Sequence, residues 1–150
     1  MWNLRPEERL REWRQFRENI GTKDLESALK DTSRLWSYAP YVTHYLCADL
    51  PEEWPDPWTL VHENMYCDLA KSLGMFYTVY LCAHYTSMDN LELRVYRHIT
   101  TRDIVNTVWV NDGKYILNLV FDSVVNKTSV DENYELRYRY TVADLNLDLY

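Results

Sequence analysis

The sequence predicts an α+β fold, N-terminal helices packed on a five- or six-stranded, mainly antiparallel sheet, and three observations carry that prediction. All five prolines fall at or before Pro57, among apolar residues at helical spacing. After Gly74 the chain is rich in Val, Tyr, Leu and Thr and alternates with period two. Between two of the alternating runs stands Asn111-Asp112-Gly113, a hairpin turn signal. At 150 residues the chain is read as one domain, mainly helical over 1–74 and mainly sheet over 75–150.

The first helix is expected from Pro6 to Asn19, with Pro6 in its first turn and Glu7 and Glu8 near its positive end. Leu10, Trp13, Phe16 and Ile20 form its apolar face. Arg9, Glu12, Arg14, Arg17 and Glu18 are expected on a solvated face. Gly21 ends that helix, and Leu25, Ala28, Leu29, Leu35 and Trp36 mark a second, antiparallel one ending before Pro40. The stretch from Ala39 to Trp58 holds four prolines and reads as an ordered aromatic loop with one short helix. Its length points to a role beyond connection. Asp56 then caps a helix that carries Val61, Met65, Leu69, Ala70 and Leu73 and stops at Gly74.

Strands are expected over Met75–Tyr85, Leu91–His98, Ile104–Val110, Lys114–Asp122 and Glu135–Val142. The tail alternates Leu145, Leu147 and Leu149 with Asp144, Asn146 and Asp148. It reads as a sixth strand of the same sheet or as an edge strand donated to another chain.

Composition narrows the function classes. The net charge of -7, with no basic stripe to offset it, argues against nucleic acid. The longest apolar run, Met75–Ala83, is far short of the ~20 residues of a spanning helix, so no membrane role is expected. Three cysteines at irregular spacing, with no leader, are expected as free thiols in a reducing cytoplasm. Gly21, Gly74 and Gly113 each fit a turn or a helix end, which leaves no glycine loop for phosphate. Glu52, Glu53, Asp131 and Glu132 read as solubilising carboxylates.

The pairs His44 with Cys47, His62 with Cys67, and Cys82 with His84 fit no zinc spacing. Cys82 and His84, on one face of the first predicted strand, are the pair closest to a site. Neither a metal nor another cofactor is expected.

Cys67, on a helix that leads into the sheet, raises the question of catalysis. That order resembles the transglutaminase-like and papain-like cysteine enzymes. There the thiol lies at a helix N-terminus, and a His on one strand and an Asp or Asn on the next complete the triad. "TVWVNDGKYILN", Thr107 to Asn118, resembles the transglutaminase-like run in which a His stands two residues before a Trp and an Asp ends the next strand. Trp109 and the turn at Asp112 and Gly113 match; Thr107 stands at the His position and Asn118 at the Asp position.

A helix starting at Asp56 would place Cys67 deep inside it, beside the opposing charge of Asp68 and with only partial compensation from Lys71. A break near Asn64 would instead bring it to a helix start. Cys67 is therefore expected as a packed side chain, and no catalytic set is favoured. The alternative set is Cys67 with His84 or His98, which lie near strand ends.

"EWPDPWTLVHENMYCDLAKSLGMFYTVYL" together with "VWVNDGKYILN" also resembles an uncharacterised protein type of T4-like tailed phages, including cyanophages, over Leu10 to Val125. The resemblance implies a non-enzymatic virion structural component or assembly factor, located in the host cytoplasm and then in the virion. It would bind other phage proteins through Trp54, Pro55, Asp56, Pro57 and Trp58 and through Leu145, Leu147 and Leu149. A homo-oligomer or ring within a particle fits the same reading. Two alternatives stand beside it: a cysteine-dependent acyl transferase or amidohydrolase using Cys67, and a host-directed inhibitor.

Overall fold

The computed structural model describes residues 1–147. Helices α1 (Pro6–Ile20), α2 (Leu25–Ser37), α3 (Pro57–Glu63) and α4 (Asp68–Tyr80) precede strands β1 (Leu91–His98), β2 (Ile104–Val110), β3 (Tyr115–Leu117), β4 (Val124–Val125) and β5 (Tyr134–Thr141). The strands form one sheet in the order β4-β3-β2-β1-β5, each pair antiparallel. The β2–β3 hairpin turns as expected on Asn111, Asp112 and Gly113, whose φ values of 51°, 58° and 87° suit the short polar residues and the glycine there.

One face of the sheet packs on α4. Leu91, Leu93 and Val95 of β1 and Val108 and Val110 of β2 join Leu69, Leu73, Phe76 and Val79 of α4 in the main core. The opposite face carries a second cluster of Tyr96, Trp109 and Ile116, covered by Leu119, Val130 and Tyr134.

Three expectations are corrected. Residues 75–80, expected as the first strand, continue α4. Every side of this helix is buried, and a short, wholly apolar run shows no period that separates helix from strand. Gly74 is accordingly no terminator: a Cβ there would lie 2.5 Å from the Trp36 ring, so glycine is required for α2 to approach α4.

The run Lys114–Asp122 is likewise broken at Asn118, whose φ is 65°, and the neighbouring strand is the separate β4. The tail turns back rather than extending. Thr141 N–H donates to the Asp144 carboxylate, and the N–H groups of Leu145 and Leu147 reach the Val142 carbonyl, so residues 142–147 add no sixth strand. Leu145 and Leu147 pack on the core; Leu149 lies outside the described residues.

Helices α1, α2 and α4 meet at one hydroxyl. Thr78 Oγ1 accepts the indole N–H of Trp13 from α1 (3.0 Å) and of Trp36 from α2 (2.9 Å), and donates to the Gly74 carbonyl (2.7 Å). One donor and two acceptors is the full capacity of a hydroxyl.

The charged face of α1 is not wholly solvated either. Arg9 is buried and donates to the carbonyls of Leu4, Val61 and His62, supplying donors for the exposed end of α3. Arg17 stacks 4.3 Å from the Trp13 ring centroid, and burial, then Arg14, draws its pKa down.

Replacing Thr78 by Val keeps the shape but strands both indole donors. The expected cost is about 1–3 kcal/mol for each, measured by urea unfolding, with Thr78→Ser nearer the parent. Equal stability of the Val and Ser variants would show that the indole bonds contribute nothing.

Candidate functional site

Helix α3 ends at Asn64, which takes up φ 56°, and the chain runs extended through Cys67 before α4 begins at Asp68. Cys67 is thus the residue at the N-cap of α4. No side chain caps this helix start, which leaves its first amide groups without a side-chain acceptor and favours an anion beside them.

The loop after α2 is tied to the same place. Val42 N–H donates to the Tyr66 carbonyl, Tyr66 N–H donates to that of Pro40, and Tyr45 Oη donates to that of Met65. Those bonds fix the loop that carries His44.

A cleft of about 400 Å³ opens between this loop, the start of α4 and the sheet. Cys67, Asp68 and His44 line it from the helical side, and Arg97, Asn106, Arg137 and Tyr138 from the strands. Cys67 itself is 1% exposed and also belongs to the core cluster, so it joins the cleft wall to the core.

The sheet residues nearest the thiol form a polar network. Asn106 Nδ2 donates to Asp68 Oδ2 (2.8 Å), and Asn118 Nδ2 donates to the Asn106 carbonyl (2.8 Å) and lies 3.3 Å from Asp68 Oδ1. Lys71 does not offset Asp68; its ammonium turns to the Ser37 carbonyl, and burial draws its pKa down despite the pull of Asp68.

The expected residues fall in several places. Thr107, placed at the histidine position from the sequence, points to the opposite face of β2, where it donates to the Arg94 carbonyl and accepts from Trp109 Nε1. The residue facing the cleft is its neighbour Asn106. His84 donates to the Ile20 carbonyl beyond the far end of α4, and His98 Nδ1 accepts from Thr101 N–H beside Tyr134. Neither is among the cleft-lining residues. Cys82 precedes a 3-10 turn rather than sharing a strand face with His84.

The Trp54–Trp58 segment is largely occupied internally. Trp54 donates to the Cys47 carbonyl, the Pro55 carbonyl accepts from Tyr77, Asp56 caps α3 and Pro57 is buried. Trp58, 40% exposed, leans edge-on against Trp13. Sequence reasoning missed Asn106, Arg97 and Arg137 as cleft residues and weighed His44 only as a metal ligand.

No protein-family model matches the chain, and no curated protein sequence does. Among solved structures it is similar to LapG of Legionella pneumophila. The calcium-bound form aligns with a TM-score of 0.68 at 11% identity, covering 89% of this chain and 75% of that one. The EGTA-treated form gives 0.69 at 11%, over 91% and 74%. The chain therefore shares the fold of LapG, four helices packed on a five-stranded antiparallel sheet. This likeness overturns the expectation of a non-enzymatic phage particle component or assembly factor: it favours the cysteine-dependent alternative, and nothing in the matches ties the chain to a phage.

Asn118→Asp would set a second carboxylate against Asp68. The expected cost is about 1 kcal/mol near neutral pH, limited by solvent screening. The folded variant then holds its protons more tightly than the unfolded chain, so the loss shrinks as pH falls from 7 toward 4. Urea unfolding at several pH values checks this; a deficit that stays constant with pH would sink the proposed contact.

Proposed function

We propose that the protein is a cysteine-dependent acyl-transfer enzyme, an amidohydrolase or acyl transferase, with Cys67 as the nucleophile and His44 as its base. The observation that carries this reading is the position of Cys67 at the start of α4, on the wall of a cleft it shares with an imidazole. Attack of the thiolate on an amide carbonyl forms a C–S bond, and collapse of the tetrahedral adduct breaks the C–N bond. Protonated His44 returns its proton to the departing amine. The free amides at the start of α4 lie beside the developing oxyanion, and water or a second amine then releases the acyl group from sulfur. Asn106, held by Asp68, fixes the facing wall without itself moving a proton.

The test is alkylation by iodoacetamide at pH 7 in a protein whose Cys47 and Cys82 are replaced by Ser. Cys67 is expected to react faster folded than in urea, and His44→Ala to slow the folded reaction at least about tenfold. A Cys67 that reacts only after unfolding would overturn the assignment.

A further inference from the structure

Two arginines that the acyl-transfer reading leaves unused line the same cleft as Cys67. Arg97 comes from β1 and Arg137 from β5, and both line the cleft. The way Arg137 gets there is specific. Val95 pairs with Tyr138 and the next residue, Tyr96, pairs with Leu136, so Arg137 is the extra residue of a β-bulge. In a regular strand Arg137 and Tyr138 would point to opposite faces; the bulge brings both to the cleft.

The charges there do not cancel. Glu135 is the ion-pair partner of both, 3.5 Å from Arg97 and 3.7 Å from Arg137, and one carboxylate faces two guanidiniums. Each arginine side chain is 37% exposed, and Arg97 Nε is buried with no hydrogen-bond partner. Asp68, a cleft-lining carboxylate, accepts from the amides of Asn106 and Asn118 and forms no ion pair with either arginine among the described residues. The two guanidiniums therefore outnumber the one carboxylate they pair with, while Asp68, next to Cys67 in the chain, keeps its own negative charge. Planar guanidiniums with spare donors match the fork of a carboxylate.

We infer that Arg97 and Arg137 form an anion subsite that selects acyl donors carrying a carboxylate close to the reacting carbonyl, as in a peptide with Glu or Asp at the scissile amide. Naming the occupant an acyl donor rests on Cys67 being the nucleophile; the anion subsite itself does not.

The test titrates N-acetyl-glutamate amide, and its neutral isostere N-acetyl-glutamine amide, into the isotope-labelled full chain and follows backbone amide resonances. The glutamate compound is expected to bind at least about tenfold more tightly and to shift Arg97, Arg137 and Cys67. Arg137→Gln, at an exposed position, is expected to erase that preference. Equal binding of the two compounds, binding of neither, or a preference that survives Arg137→Gln would overturn the inference. Cys67→Ser separates the two readings: a carboxylate preference retained in this variant, alongside a Cys67 that fails to alkylate in the parent, would refute the nucleophile and leave the subsite standing.

Discussion

The Thr78 hydroxyl is the constraint on which the arrangement of helices depends. Two tryptophans on different helices each bury an indole N–H, and a buried donor without an acceptor is costly. Both find the same oxygen, whose own proton is taken up by a carbonyl one turn back along α4. Because a hydroxyl accepts only two such bonds at good geometry, α1 and α2 have one registration on α4 that satisfies all three groups. Gly74 completes the contact by removing the Cβ that would collide with Trp36. The position of α4 along its axis, and with it the position of Cys67, is fixed about 16 Å along the helix from that residue, at the ~1.5 Å per residue of a helix.

At the other end of α4 the same chain solves a different problem. The backbone leaves α3 through a left-handed Asn64 and resumes a helix only at Asp68, so Cys67 immediately before it is the cap. Ser, Thr, Asp or Asn at such a position would spend its side chain on the first amides. A cysteine leaves them open. The facing sheet carries Asn106, the neighbour of the Thr107 where the resemblance placed a His, and Asn118, where it placed an Asp, and both amides are turned to Asp68. That pair positions the wall of the cleft but transfers no proton, and the proposed mechanism therefore takes its base from the loop that carries His44.

Much of this was legible in the chain and some of it was not. The proline-marked helices, the cap at Asp56 and the Asn111–Gly113 hairpin follow from local chemistry, and local chemistry is what a sequence displays. The extension of α4 through residues 75–80 was hidden because a helix buried on all sides has no polar stripe. Asn64 offered a sign of the break, since asparagine tolerates a left-handed conformation better than most residues. Arg9 was misjudged because its partners are carbonyls of α3, 52 and 53 residues away. Thr107 and Asn106 are adjacent, and a strand sends neighbours to opposite faces, so a one-residue error in the face exchanges a cleft residue for a buried structural one.

The bulge at Arg137 illustrates the limit most sharply. Counting alternate residues along Tyr134–Thr141 assigns either Arg137 or Tyr138 to the cleft, never both. The extra residue breaks that parity, and only the pairing with Val95 and Tyr96 reveals it. The consequence is electrostatic as well as geometric. Without the bulge Arg97 would face Glu135 as a balanced pair, whereas with it a second guanidinium shares that carboxylate. In a chain whose overall charge repels anions, two guanidiniums that share one carboxylate are the feature on which the inferred preference of the cleft rests. A local irregularity in strand pairing, rather than any motif, thus sets the charge of the site.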